Sequence, residues 1–160
     1  MSEYPWISNA RAKIGLREIK GAQHEPLILR MWKLIKRGGI KNDEVPWCAA
    51  FVGACLEEAG IVSSRFESAL SYKSWGMRID KPIYGCIVVF ERASGGHVGF
   101  VVGEDSAGHL MVLGGNQSDM VSIRAFDKSR VVAYRWPIKW PCFAQNMPLL
   151  ASAAMSSNEA

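Results

Sequence analysis

No run of apolar residues in this chain of 160 is long enough to cross a membrane. The opening Met1-Ser2-Glu3-Tyr4-Pro5-Trp6 lacks the basic segment and apolar run of an export signal, so none is expected. Cysteine is scarce, with Cys48, Cys55, Cys86 and Cys142 the full set, and nothing marks a secreted disulfide scaffold. Cys48 and Cys55 lie two helical turns apart, too far for a bridge. There is no C-x-x-C pair and no H-x-x-x-H, so no zinc site, no other metal and no cofactor are expected. Histidine is scarcer still: His24, His97 and His109 are the whole supply of imidazole.

What is present is enough for one core. Hydrophobic residues make up 49% of the chain, including six Trp. The net charge of +4 is unevenly spread: residues 1–41 carry nine Lys/Arg against three Asp/Glu, and the remainder is slightly acidic. A basic first third suits a polyanion, such as nucleic acid, anionic lipid or an anionic wall; solvated helix faces are the plainer alternative. Apolar residues recur at helical spacing over 5–19, from Pro26 to about Arg37, and from Cys48 to Ala59 before Gly60; a short helix is expected over 68–75. The pattern then turns to strands: Cys86–Phe90, His97–Val102, Leu110–Leu113, Val121–Ala125 and Val131–Trp136. Helices followed by closely spaced strands predict an α+β fold, with the N-terminal helices packed on a mainly antiparallel sheet of about five strands. Residues 1–143 are expected to form a single domain and 144–160, rich in Ala and Ser, a loose tail.

The chain is organised around Pro46-Trp47-Cys48-Ala49-Ala50-Phe51-Val52. Pro46 disfavours helix before it, which puts Cys48 in the first helical turn. Unpaired N–H groups and the positive end of the helix dipole favour an anion there, and a thiolate is the nucleophilic form of cysteine. A small apolar residue opening a core helix is the competing reading. A thiolate needs a base. His109 sits by a turn and His24 in a loop, whereas His97 opens a strand among Gly95, Gly96 and Gly99, where close approach is allowed. If 97–104 and 109–116 form a hairpin around 105–108, Glu104 faces His109, Val102 faces Met111 and His97 faces Asn116. The Asn116 amide could then orient the imidazole, as in Cys-His-Asn sites, provided the register does not slip.

Trp47-Cys48-Ala49-Ala50-Phe51-Val52, Gly95-Gly96-His97-Val98-Gly99-Phe100 and Leu113-Gly114-Gly115-Asn116-Gln117 resemble the papain-like cell-wall hydrolases of bacteria and bacteriophages, the NlpC/CHAP superfamily. Glu18, Gly21, the 71–76 segment, Gly85–Phe90 and Tyr134–Pro137 extend the resemblance over residues 6–137; Cys86 departs from it, standing where relatives usually carry Asp. The resemblance implies a papain-like fold and a cysteine peptidase or amidase cutting an amide in the peptide part of peptidoglycan. In it Cys48 is nucleophile, His97 general base and acid, and Asn116 the residue orienting His97. The Cys48 backbone N–H is the first oxyanion donor, with Gln23, Asn42 and Trp47 as candidates for the second. Trp47, Tyr72, Trp75 and Gln117 are candidate substrate contacts, although aromatic residues of this kind also serve as core. The expected setting is a phage endolysin, monomeric, made in the host bacterial cytoplasm and acting on the wall in the periplasm. Contact with the anionic envelope through the basic N-terminal third is expected, and no nucleic-acid partner is expected. An interbacterial amidase effector, or a non-catalytic wall-binding or phage-tail protein on the same fold, are the alternatives.

Overall fold

A computed structural model describes residues 3–21, 23–93, 95–142 and 147–151. Among the described residues three α-helices come first: α1 (Pro5–Arg11), α2 (Pro26–Leu34) and α3 (Cys48–Glu58). Six strands follow: β1 (Met77–Ile79), β2 (Ile87–Arg92), β3 (Gly95–Glu104), β4 (Leu110–Gly114), β5 (Ser122–Phe126) and β6 (Val131–Trp136). A 3-10 helix at Ala69–Ser74 precedes β1, and another at Lys128–Arg130 joins β5 to β6. The strands form one antiparallel sheet in the order β1-β6-β2-β3-β4-β5. The fold is therefore α+β and of the papain-like type, as expected, with six strands rather than about five. The added strand is β1, three residues too short to show alternation, which exists because Met77–Ile79 pairs with Ile79↔Tyr134 through Met77↔Trp136 on β6. No helix among the described residues is long and apolar enough to cross a membrane.

The helix expected over 5–19 stops at Arg11, because the chain beyond it is taken up by the sheet side of the molecule. Gly15 N donates to Val121 O at 2.9 Å, Val121 N to Leu16 O at 2.8 Å and Glu18 N to Asp119 O at 3.2 Å. These bonds satisfy the backbone of 15–18 in extended form, so helical continuation would orphan both partners. Gly15 makes the reversal with φ +96°, a left-handed value that suits glycine.

The core is one cluster. Nine of the eleven residues of α3 are buried, Phe51 meeting Phe100 of β3 with ring centroids 6.2 Å apart. A second aromatic group ties both chain ends: Tyr4, Trp6, Trp136 and Trp140 pack with centroids 4.8 to 6.5 Å apart, and the Trp6 indole donates to Gly85 O at 2.8 Å. Such pairs contribute about 0.5–1.5 kcal/mol each beyond burial. Of the expected tail, 144–146 and 152–160 lie outside the described residues. Residues 147–151 run beside the end of β3, with Glu104 N donating to Pro148 O at 2.9 Å and Leu150 N to Glu104 O at 2.8 Å. This part of the expected loose tail is thus bonded to the sheet.

The loop before α3 is anchored by a buried carboxylate. Asp43 accepts the backbone N–H of Ile19 and of Glu25, both at 2.7 Å, and pairs with His24 Nδ1 at 3.0 Å. Burial alone would raise its pKa; the two amide donors and His24 bring it below the ordinary value. A depressed carboxylate stabilises the fold above its unfolded-state pKa and loses that contribution as pH falls through its folded-state value. Asp43→Asn is expected to cost about 1–3 kcal/mol at neutral pH and to flatten the loss of stability below about pH 4. Thermal melts of parent and variant across that range check both; a parallel shift at every pH contradicts the linkage.

Candidate active site

Cys48 is the first residue of α3, after Trp47 at the N-cap with φ −119°. Trp47 does not cap the helix with its side chain; its indole instead donates to Glu18 Oε2 at 2.9 Å. N–H groups of a first turn have no intrahelical acceptor, and the helix dipole adds positive potential, so the Cys48 position favours a thiolate and an oxyanion. Cys48 is nearly buried, at 4% exposure. The other thiols differ: burial pushes Cys55 far up and Cys86 up to about 12, which keeps both protonated. Cys142 is exposed.

His97 is buried on β3. Its Nε2 lies 3.0 Å from Oε1 of Gln117. The orientation of that amide follows from its other end: Gln117 Nε2 donates to Val112 O at 3.2 Å and to Ser122 O at 2.9 Å. Two carbonyls require the NH2 group on their side, so the oxygen faces His97 and can only accept. The imidazole therefore carries its hydrogen on Nε2, and in the neutral ring the lone pair is on Nδ1. That is the tautomer a base acting through Nδ1 needs.

Two glycines bring the thiol and imidazole elements to one place. A Cβ on Gly114 would fall on Gln117 Oε1 and lie 3.3 Å from His97 Nε2. A Cβ on Gly115 would come within 2.6 Å of Phe51 Cβ and 2.8 Å of the Trp47 ring. The Gly114-Gly115 turn thus sits between the His97–Gln117 pair and the first turn of α3, and any side chain there would push the two apart.

The amide that meets His97 is that of Gln117, where Asn116 was expected. The hairpin register is right near the middle of β3: Phe100 faces Leu113 and Val101 faces Val112. It slips by one toward the loop, where Gly103 faces Met111 and Glu104 faces Leu110 rather than His109, because Val102 is an extra residue. At the other end β4 stops at Gly114, and Asn116 adopts φ +58°, leaving the strand geometry on which cross-strand pairing depends. The turn delivers the next side chain to the histidine. The sequence carried one usable signal, a second amide beside the first, and only the backbone conformation separates them.

The expected substrate contacts fare poorly. Trp47 and Tyr72 are fully buried, and Gln117 is buried with its amide committed on both sides. Trp75 is partly exposed, but it lines a cleft of about 420 Å³ with Ile61, Val62, Ile138 and Trp140. That cleft adjoins Ala59-Gly60, beyond the last turn of α3, about 16 Å from Cys48 along the helix axis. Among the candidates for a second oxyanion donor, the Trp47 indole is engaged by Glu18, Gln23 is exposed, and Asn42 Oδ1 accepts Glu44 N at 2.8 Å within its own turn. His24 and His109 are paired elsewhere, with Asp43 and Asp105. Among the described residues no three His, Cys, Asp or Glu side chains converge as metal ligands would.

A cysteine opening a buried helix and a histidine held in one tautomer by a side-chain amide are the residue set of papain-type thiol hydrolases. Residues 40–116 match the family model of the CHAP domain, which supports a likeness to cell-wall hydrolases of the CHAP/NlpC type. The match contains Cys48 and His97 and ends one residue short of Gln117. CHAP domains are typically amidases or cysteine hydrolases acting on peptidoglycan. No curated protein and no solved structure matches the chain.

The amide geometry makes a prediction that does not depend on activity. In 15N spectra of the imidazole, Nε2 should carry the proton in the parent and in Asn116→Gly, which keeps the left-handed backbone. Gln117→Leu should lose that preference and cost about 1–3 kcal/mol, since two carbonyls lose their buried donor. A proton on Nδ1 in the parent would refute the assignment.

Proposed function

We propose that this protein is a cysteine hydrolase that cuts an amide bond in the peptide part of peptidoglycan. The observation that carries the reading is the buried His97–Gln117 pair, locked in the Nε2–H tautomer beside the Gly114-Gly115 turn, which also meets Trp47 and Phe51 at the start of α3. In this mechanism His97 Nδ1 takes the Cys48 proton, and the thiolate attacks the amide carbonyl. The carbon–sulfur bond forms as the carbonyl oxygen becomes an oxyanion, stabilised by the N–H groups at the start of α3. Collapse breaks the carbon–nitrogen bond, and the imidazolium returns its proton to the departing amine. Water then adds to the thioester with His97 as base, releasing the acid and restoring the thiol. Gln117 keeps the ring in one tautomer throughout, as the third member of such triads does.

The narrower reading is a phage endolysin, monomeric and released from the host cytoplasm to the wall. It rests on the resemblance of the three motifs to phage wall hydrolases. Attraction to the anionic envelope belongs to the same proposal: Lys33 and Lys36 are exposed near the end of α2, whereas Arg37 pairs with Glu67 at 3.3 Å and lies over the Phe66 ring. A neighbouring holin gene would support the lysis role, and an immunity gene would favour an injected effector.

Cys48→Ser is expected to keep the parent's melting temperature and lose about 1,000-fold or more of its activity on purified sacculi, since a hydroxyl lacks the thiolate's nucleophilicity. Mass spectrometry of the parent digest identifies the bond. Sacculi solubilised equally by Cys48→Ser would end the proposal.

A further inference from the structure

His97 is bounded by flat rings as well as by an amide. Its ring centroid lies 5.4 Å from that of Phe126, with the planes 7° apart, and 6.2 Å from that of Phe90, at 23°. Phe90 and Phe126 stack on each other at 4.4 Å and 17°. The three rings are nearly parallel and meet as a triangle. Phe90 is on β2 and Phe126 on β5, with β3 and β4 between them in the sheet. Rings on strands so separated can touch only if the sheet curls, so this contact closes the concavity in which His97 lies. Arg130, in the 3-10 helix after β5, sets its guanidinium carbon 5.6 Å from the Phe90 centroid and 5.3 Å from that of Phe126, within cation–π range of both. Phe90 and Phe126 are buried to within 1%.

The Gln117 hydrogen bond fixes one atom of the imidazole. With Nε2 held by Gln117, the ring can still tilt about the line joining Nε2 to Oε1, and that tilt swings Nδ1. A parallel face beside the ring blocks it. We propose that Phe126 is a positioning residue for His97: it sets the plane of the imidazole, while Gln117 sets its rotation within that plane. Phe90 and Arg130 hold Phe126 from its other sides. The inference rests on His97 being the base of the thiol reaction, and it assigns a role to a strand beyond the residues that match the family.

The test uses Phe126→Leu, which keeps an apolar side chain and removes the flat face, and Phe126→Tyr, which keeps the ring. Turnover is measured on soluble peptidoglycan fragments released from sacculi, with melting temperature and alkylation of Cys48 by iodoacetamide as controls. Misplacing a reacting group by about 1 Å costs on the order of 100-fold. Phe126→Leu is therefore expected to lower kcat by about 10–100-fold with KM nearly unchanged, while Cys48 remains open to alkylation at alkaline pH. Phe126→Tyr is expected to recover most of the kcat. An unchanged kcat in Phe126→Leu, or a loss as large in Phe126→Tyr, overturns the proposal. If Phe126→Leu does not melt cooperatively, Phe126→Met replaces it under the same two outcomes. Cys48→Ser, assayed alongside, separates the two levels: activity in that variant removes the thiol reading, whereas an inactive Cys48→Ser beside a fully active Phe126→Leu removes only the positioning role.

Discussion

The amide of Gln117 couples three parts of the molecule. Its NH2 group bridges a carbonyl of β4 and the carbonyl of Ser122 at the start of β5, and its oxygen faces His97 on β3. A buried amide must satisfy both ends or lose a few kcal/mol. Since the carbonyls take the donor end, the histidine receives the acceptor end, and its tautomer follows. The same side chain that joins β4 to β5 thus decides which imidazole nitrogen can accept a proton. Structural and chemical roles are inseparable here, and that is why the side chain is fully enclosed.

Around that amide the site is built by subtraction as much as by placement. Gly114 and Gly115 leave room for the His97–Gln117 pair on one side and for Trp47 and Phe51 on the other. Glu18 holds Trp47 by its indole, at the expense of a carboxyl pKa raised first by burial and then by Asp119, Asp43 and Glu44, with the indole bond opposing. Asp43 pins the loop that leads into α3 through two backbone amides and His24. The start of α3 is therefore held by side chains from two connections, Glu18 and His24 between α1 and α2 and Asp43 between α2 and α3. Its own apolar face is fixed by the sheet.

The sheet contributes its curl. Strands that alternate regularly would lie side by side, and β2 and β5 would never meet. The irregularities at Val102 on β3 and at Val132 on β6 mark where ladders lose register, and bulges of this kind add local twist. The stacked Phe90 and Phe126 are the packing result. His97 is enclosed by that closure, so its environment is a property of four strands together and not of its own flanking sequence.

The sequence by itself determined most of the order of elements, the place of Cys48 at a helix start and the place of His97 on a strand among glycines. Those are local matters: helical spacing after a proline, glycines around an imidazole, and alternating apolar runs each act within a few residues. The inner register of the β3–β4 hairpin also matches the sequence reading, although the loop is one residue longer than expected, because the extra residue Val102 on β3 offsets it. Tertiary structure decided the rest. The first helix ended at Arg11 because residues 15–18 found partners more than a hundred residues away, at 119–121. Tyr72 and Trp47 became core, because an aromatic side chain carries no local mark of which surface will cover it. Asn116 and Gln117 are adjacent amides of the same chemistry. Which one reached His97 depended on a left-handed φ at Asn116 and on two carbonyls that only the folded sheet brings together.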